Sequence, residues 1–215
     1  MDQALREPPG LLAAGGDLRP TRLLAAYERG VFPWYSAQQP ILWWSPDPRM
    51  VLFPGEFKCS RSLRKTLRHG PFSTRLDHAF GATIRCCAAP RRSGPDTWLN
   101  TEMIDSYDQL HELGFGHSVE TYRDAQLVGG LYGIQLGQVF FGESMFSLER
   151  DASKVALARL VEECCARDIK VIDCQVASTH LAGLGAREVS RAQFVALLKS
   201  YARRSPLGSW RENPA

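Results

Sequence analysis

The chain changes character near residue 50. Before that point, apolar residues come in short bursts interrupted by prolines and glycines, as in "PPGLLAAGGDLRP" and "FPWYSAQQP". This pattern predicts loops around one short helix over residues 20–29, ended by Gly30. From Met50 onward, apolar positions recur every second residue or every three to four residues, as expected of strands and helices. We therefore predict a small N-terminal domain over residues 1–49 and a larger domain over residues 50–215.

The larger domain is predicted to contain strands and helices around one sheet. Strands are expected in "MVLFP", "FSTRLD", "HSVETYR" and "KVIDCQV", and twice in the glycine-rich "QLVGGLYGIQLGQVFFGESMFS". Helices are expected in "SRSLRKTLRHG", "HAFGATIRCCAAP", "TEMIDSYDQLHELG", "DASKVALARLVEECCARD" and "RAQFVALLKSYAR". The predicted fold class is α+β, with a central, mostly antiparallel sheet flanked by helices.

Composition and charge exclude few classes of protein. The 215 residues include 44% hydrophobic and 23% charged residues, the ordinary balance of a soluble globular protein, and the net charge is +3. So mild a charge does not indicate nucleic acid binding unless the cations cluster. No run approaches the roughly 20 apolar residues that cross a bilayer, and the first residues lack a signal pattern. We therefore expect neither a membrane span nor a targeting segment.

The six cysteines indicate the redox compartment. They fall at 59, 86, 87, 164, 165 and 174, in two adjacent pairs and without CxxC spacing. This spacing fits neither a disulfide framework nor a zinc site. Reduced thiols in the cytoplasm are the simplest interpretation, and we predict no metal.

An isolated carboxylate, Glu143, interrupts the apolar strand "VFFGESMF". Burying an unpaired carboxylate costs several kcal/mol at least. One interpretation is a glutamate satisfied by an arginine or a backbone amide, which is common in proteins. The other is a carboxylate that faces a ligand.

A second polar pair interrupts the strand "VIDCQV". Period-two alternation places the side chains of Asp173 and Gln175 on one face and Cys174 on the other, in the core. A carboxylate beside an amide can hold an amine and accept its proton. Alternatively, Asp173 caps a turn and Gln175 bonds to backbone. If these strands pair, the same neighbourhood receives the apolar side chains of Leu131, Phe140, Met145, Leu157 and Ile172.

Aromatic residues are concentrated in the small N-terminal domain. Trp34, Tyr35, Trp43 and Trp44 exceed what so short a segment needs for its own core. They either pack the segment onto the larger domain or form a wall for a flat or apolar ligand.

One predicted helix carries a stripe of positive charge. Lys58, Arg61, Arg64, Lys65 and Arg68, here called the basic stripe, have no acidic residue between them and recur at helical spacing. Such a stripe is often a solvated face, but the missing acids favour phosphate contacts without sequence information. Arg91 and Arg92 are candidates to extend it.

Taken together, many short strings resemble one family. "GLLAAGGDL", "AAYERGVFPWY", "PILWWSPDPR", "RSLRK", "DTWL", "LHELGFGHSVE", "LVGGLYG", "FFGESMFS", "ASKVAL" and "IDCQ" follow the order of the leucyl/phenylalanyl-tRNA–protein transferases. The resemblance covers the chain from Pro9 to about Phe194. It implies a small N-terminal domain beside a larger domain similar to acyl-CoA N-acyltransferases, in a cytoplasmic monomer without metal or cofactor.

The resemblance also implies an activity. Leucine, phenylalanine and, less efficiently, methionine are moved from aminoacyl-tRNA to the α-amino group of proteins that begin with Arg or Lys. The transferred residue marks those proteins for degradation by the N-end rule.

The resemblance assigns roles to the residues that match its motifs. Asp173 and Gln175 are similar to the family's catalytic pair, and Glu143 would face the incoming basic N-terminus. The matching pocket positions for the transferred side chain are Leu131, Phe140, Met145, Leu157 and Ile172. The aromatic positions around the aminoacyl-adenosine end are Tyr27, Trp34, Trp98 and Tyr107. The group that takes the amine proton stays open, because water and the adenosine 2′-hydroxyl are alternatives to the pair.

Two other functions are considered. An acetyl-CoA N-acetyltransferase would need a glycine-containing pyrophosphate loop, and the stretch "SLERDASK" at that place has no glycine. A non-enzymatic RNA-binding module could stack bases on Trp34 and Trp98, but it would leave Asp173, Gln175 and Glu143 without a task.

Overall fold

The computed structural model describes residues 4–5, 7–36, 38–89, 99–205 and 210–211. Within these residues the strands are β1 Leu11–Ala14, β2 Phe32–Pro33, β3 Leu42–Trp44, β4 Arg49–Leu52, β5 Ser73–Leu76, β6 Gly116–Arg123, β7 Gln126–Leu136, β8 Val139–Ser147, β9 Val171–Gln175 and β10 Arg187–Val189. The helices are α1 Pro20–Tyr27, α2 Arg61–His69, α3 Phe80–Ala88, α4 Thr101–Glu112, α5 Ala152–Ala166, α6 Thr179–Gly183 and α7 Arg191–Tyr201.

The N-terminal segment contains a small sheet as well as the predicted helix. Strands β1, β3 and β2 pair antiparallel in that order, so the prediction of loops around α1 was wrong there. Strands of two to four residues are too short to show a period, and β1 pairs with β3 across the intervening α1 and β2. Helix α1 ends at Tyr27 and is followed by Gly30 in the left-handed region, with φ of +72°.

The larger sheet has seven strands in the order β10-β4-β9-β8-β7-β6-β5. Every neighbouring pair is antiparallel except β8 and β9, which run parallel. Helices pack on both faces. The predicted α+β class and the mostly antiparallel sheet are therefore confirmed. The short elements α6 and β10 were not predicted, because three to five residues carry no usable periodicity.

Two apolar clusters cover the two faces of this sheet. The first combines the N-terminal segment with α3, α4 and α7, and it includes Tyr27, Trp43, Tyr107, Phe141 and Phe194. The second lies under α2 and α5 and includes Leu63, Leu131, Phe140, Leu157 and Ile172. The N-terminal segment thus shares a continuous core with the larger sheet, which accounts for the buried Tyr35 and Trp43 but not for the exposed Trp34. The boundary between residues 49 and 50 stays a prediction.

Candidate active site

A β-bulge in strand β8 places Glu143. The register of β7 and β8 passes from Tyr132 opposite Ser144 to Gly133 opposite Gly142, so Glu143 is the extra residue between them. Bulges of this kind redirect one side chain and are common beside active sites. Gly133 permits the close approach, because a Cβ there would lie 2.2 Å from the Phe141 carbonyl oxygen.

The carboxylate of Glu143 accepts hydrogen bonds from three uncharged groups. The Tyr27 hydroxyl donates to Oε1 at 2.8 Å, and the Tyr107 hydroxyl donates to Oε2 at 2.8 Å. The Gln175 amide donates to Oε1 at 3.2 Å. Burial raises the pKa of Glu143 to about 7, although the two phenols act in the opposite direction. Glu143 is therefore partnered within the chain, and its partners are not the arginine or backbone amide that the sequence suggested.

Asp173 lies in a different environment, one strand away. Arg49 donates to both of its oxygens, from Nε at 2.8 Å and from Nη2 at 2.6 Å. The guanidinium is sandwiched between the rings of Phe32 and Phe194, at 4.8 and 4.7 Å, and also donates to the Gly30 carbonyl. Both charged side chains are buried, at 1% and 0% exposure. This bidentate pair ties β9 to the N-terminal segment and to α7.

Gln175 links the two carboxylates. Its backbone adopts φ of +57°, which is uncommon for a residue with a side chain. Asp173 stabilises this conformation, because its Oδ1 accepts from the Gln175 backbone N–H at 3.0 Å. Since the side-chain Nε2 donates to Glu143, the carbonyl oxygen of the same amide is turned away from that carboxylate.

An apolar recess opens beside this cluster. The pairing of β8 with β9 stops at Phe141 and Asp173, and beyond that point the strands border a cavity of about 380 Å³. This recess is lined on its apolar side by Leu131, Met145, Leu157, Leu160, Ile172 and Cys174, and on its polar side by Glu143, Asp173 and Gln175. Four of the five predicted pocket residues therefore meet in one cavity. Phe140 is fully buried in the cluster behind them.

Cys174 corrects one expectation. It was predicted to lie in the core, away from the site, yet it is partly exposed and lines the recess. Alternation along β9 does carry it to the opposite face from Asp173, but residues from both faces of β9 line the recess. Burial raises the pKa of its thiol to about 12, so it is not a thiolate nucleophile at neutral pH.

A second, smaller cavity of about 120 Å³ adjoins the recess. It is lined by Phe32, Pro33, Trp34, Glu143, Gln175 and Val176. Trp34 is 44% exposed and packs against Trp44 with ring centroids 5.9 Å apart. Glu143 and Gln175 therefore form the shared wall of both cavities.

The other predicted aromatic positions differ in accessibility. Tyr27 and Tyr107 are fully buried, and their hydroxyl groups point at Glu143. Trp98 lies outside the described residues, as do Arg91 and Arg92.

The basic stripe lies on and just before helix α2. Ser60 caps the helix by accepting from the Leu63 N–H at 3.1 Å, and the helix ends at His69 before Gly70. All five cations are exposed. None has an acidic partner within 4 Å among the residues that the structure describes. Leu63 anchors the helix on the cluster that also forms the recess.

Sequence reasoning missed Arg49. Its only signal was a lone cation at the start of the apolar run "RMVL", beside the turn "SPDP". Most arginines lie on the protein surface, so nothing local identified this one as the buried partner of a carboxylate 124 residues away.

Among the described residues, no group of three or more His, Cys, Asp or Glu side chains could hold a metal ion. The helices within the described ranges are all too short or too polar to cross a membrane.

Comparison with known proteins identifies relatives along nearly the whole chain. The family model described as "Leucyl/phenylalanyl-tRNA protein transferase" matches residues 51–199, and the model of its N-terminal domain matches residues 16–47. A "Leucyl/phenylalanyl-tRNA--protein transferase" of Stutzerimonas stutzeri (strain A1501) is 54% identical, over 98% of this chain and 93% of its own. The protein of the same name from Nitrosospira multiformis is 57% identical, over 91% of this chain and 84% of its own.

Solved structures resemble the chain more distantly. A "GCN5-related N-acetyltransferase from Kribbella flavida" aligns with 11% identity and a TM-score of 0.43, over 76% of this chain and 58% of its own. A "functionally unknown conserved protein" from Staphylococcus epidermidis aligns with 13% identity and a TM-score of 0.46, over 84% and 68%. Scores below 0.5 support no conclusion about the activity of this chain.

The polar-bordered recess, together with the named relatives, defines the chain as an enzyme of the aminoacyltransferase class. More specifically, the chain belongs to the leucyl/phenylalanyl-tRNA protein transferase family, whose model covers well over half of its length. The resemblance noted in the sequence is thereby confirmed.

Proposed function

We propose that this enzyme transfers leucine or phenylalanine, and less efficiently methionine, from aminoacyl-tRNA to the α-amino group of proteins that begin with Arg or Lys. The product would enter the N-end rule degradation pathway. We further propose that the enzyme acts in the cytoplasm as a monomer and needs neither metal nor cofactor.

One observation carries this proposal: an apolar recess of about 380 Å³ shares its polar wall with a second cavity. The recess suits the donor's side chain, and the second cavity suits the acceptor's N-terminus. Leu, Phe and Met fit an apolar recess lined in part by a flexible methionine, Met145, whereas β-branched Ile and Val are stiff at χ1. One or two methylene groups distinguish substrates by only about 1–3 kcal/mol, so selection is incomplete.

The chemistry places modest demands on the enzyme. An aminoacyl ester is already activated, and positioning it against an amine lowers the barrier by roughly 7 kcal/mol or more. In the proposed arrangement the Gln175 carbonyl accepts a hydrogen bond from the amine, and Asp173 holds Gln175 in place through its backbone N–H. Glu143 supplies negative charge where the acceptor enters.

The tRNA is proposed to bind along the basic stripe. Phosphate contacts carry no sequence information, which suits an enzyme that accepts several tRNAs and selects by the attached amino acid. Helix α2 packs through Leu63 on the same cluster as the recess, so the stripe and the donor pocket belong to one side of the sheet. Trp34 offers an exposed ring for the terminal adenosine.

A transfer assay tests this function. Labelled Leu-tRNA, Phe-tRNA and acetyl-CoA are offered as donors to peptides that differ only in a first residue of Arg, Lys or Ala. We expect label from both tRNAs on the Arg and Lys peptides, little on the Ala peptide, and none from acetyl-CoA. Transfer from acetyl-CoA would instead indicate an acetyltransferase, and tRNA binding without transfer would indicate an RNA-binding module.

A variant of the shared wall adds a control for the site. Gln175→Met keeps the side chain's length but removes both the amide donor and the carbonyl acceptor. We expect strongly reduced transfer with unchanged tRNA binding. Normal turnover by this variant would discard the role of Gln175.

A further inference from the structure

The oxygens around Glu143 form a ring of three contacts. The two phenols lie 2.6 Å from one another, and each lies 2.8 Å from one oxygen of the carboxylate. Every contact in such a ring needs one proton. With Glu143 ionised, the phenols supply only two protons for three contacts. With Glu143 protonated, three protons are available for the three contacts. The carboxyl group donates to one phenol, that phenol donates to the other, and the second phenol donates to the remaining carboxyl oxygen. The site is therefore built to hold one additional proton.

The charged and titratable neighbours leave this carboxylate poised between its two forms. Facing it are Tyr27 on α1, Tyr107 on α4 and Tyr132 on β7, with the pair of Asp173 and Arg49 on β9 and β4. Burial, the largest influence, raises the pKa of Glu143. The two phenols lower it, Asp173 raises it again and Arg49 lowers it, and the result is about 7. No cation contacts Glu143 directly among the described residues, since the Arg49 guanidinium is bound to Asp173 and Gly30.

Asp173 is poorly suited to take a proton from a substrate. Its side chain has no exposed surface, and both oxygens are occupied by Arg49. Asp173 belongs to the lining of the donor recess, but its side chain is fully buried, whereas Glu143 is partly exposed and borders both the donor recess and the acceptor cavity.

We propose, resting on the function proposed above, that Glu143 is the catalytic residue that takes the proton of the attacking amine, and that Tyr27 and Tyr107 close the ring around it once it is protonated. The two tyrosines are then positioning residues. The group of the acceptor that meets Glu143 is the α-amine and not the basic side chain.

The proposed step moves one proton from the amine to the ribose oxygen through Glu143. The nitrogen lone pair of the neutral amine forms a bond to the ester carbonyl carbon, and the carbonyl π electrons move to its oxygen. One N–H proton passes to a carboxylate oxygen of Glu143. When the carbonyl re-forms, the bond from carbon to the ribose oxygen breaks, and its electron pair stays on that oxygen. Glu143 returns the proton there, leaving an amide, a tRNA with a free hydroxyl group and an ionised carboxylate.

An infrared titration of the free enzyme tests the proton site without requiring activity. We expect a protonated carboxyl band that grows as the pH falls through about 7 and is missing in Glu143→Gln. Glu120→Gln is the matched control, because Glu120 is another buried glutamate with a raised pKa, held on β6 by Ser118. This variant should keep the Glu143 band. A Glu143 that stays ionised down to pH 5.5 would overturn the proposal.

Kinetics test the role in transfer. We expect Glu143→Gln to lose at least about 100-fold in turnover, equally for acceptors that begin with Arg or Lys and for an Ala acceptor supplied at a concentration that gives measurable transfer by the wild type. Tyr107→Phe removes a donor that lowers the Glu143 pKa, so the pH at which activity falls off on the acidic side should move upward. The proposal is overturned if Glu143→Gln loses rate only on Arg and Lys acceptors, or loses little on any of them. The latter result would point to water or the ribose hydroxyl. Wild-type enzyme without transfer from either tRNA would refute the proposed function instead, whatever the infrared result.

Discussion

Two carboxylates on neighbouring strands have opposite surroundings. Asp173 is matched by a bidentate arginine and is closed off from solvent. Glu143 has three uncharged donors and borders two cavities. A buried charge with its counterion keeps one protonation state and fixes geometry, whereas a carboxylate without a counterion lies near the point where it gains or loses a proton. In the mechanism that we propose, Asp173 holds the site in place and Glu143 performs its chemistry.

The largest effect is expected at Asp173. Asp173→Asn leaves the buried Arg49 without a counterion, and we expect the free energy of unfolding to fall by about 3–5 kcal/mol. Urea denaturation measures this loss. The double variant Arg49→Met with Asp173→Leu should recover much of it, because neither charge remains. If the single Asp173→Asn variant has normal stability, the claim that Asp173 and Arg49 stabilise the fold as a charged pair would be wrong.

Glu143 should behave in the opposite way. Its pKa is raised from 4.5 to about 7 in the folded protein, so folding takes up a proton between those values, and stability falls as the pH rises through that range. Glu143→Gln has no such charge. We expect it to be more stable than the wild type by up to roughly 3 kcal/mol at pH 8, with the gap closing toward pH 5. Urea denaturation at several pH values measures the gap, and a variant that is destabilised throughout would contradict the interpretation.

The affinity for tRNA is expected to depend on the basic stripe and not on either of the two carboxylates. Changing Arg61, Arg64 and Arg68 together to Gln should weaken tRNA binding and lower the slope of log affinity against log salt by about 2 to 3. The matched control changes Arg19, Arg187 and Arg204 to Gln, since these exposed arginines already pair with Asp17, Glu56 and Glu28. Equal slopes for the two triple variants would show that the basic stripe does not bind tRNA phosphates. Glu143→Gln should alter neither the salt slope nor the affinity for tRNA.

The smallest effect is expected on the apolar side of the recess. Cys174→Leu adds bulk beside Ile172 without touching either carboxylate. We expect the rate with Phe-tRNA to fall about tenfold relative to Leu-tRNA, corresponding to about 1.4 kcal/mol. Cys165→Leu, on the exposed side of α5, provides the control. An unchanged ratio would place the donor side chain elsewhere.

Regular periodicity was enough to predict the long elements. Helix α4 followed from an apolar face at helical spacing, whereas strands β6 to β8, which are buried along much of their length, followed from strand-forming runs between turns. The N-terminal strands could not be predicted in this way. Two to four residues show no period, and the strands are defined only by their pairing with β3. The same limit applies to the site. Glu143, Asp173 and Gln175 were visible as polar residues within apolar strands. Burying such residues costs free energy unless hydrogen bonds or a counterion compensate.

The tertiary structure decided which groups bond to these buried polar residues. Tyr27 and Tyr107 come from helices 116 and 36 residues away from Glu143, and Arg49 lies 124 residues from Asp173. The sequence by itself determined which positions carry charge, which long segments are regular and which family the chain resembles, because those depend on local order along the chain. Only the fold decided which carboxylate has a counterion and which has none, since that depends on which distant side chains share a place in space.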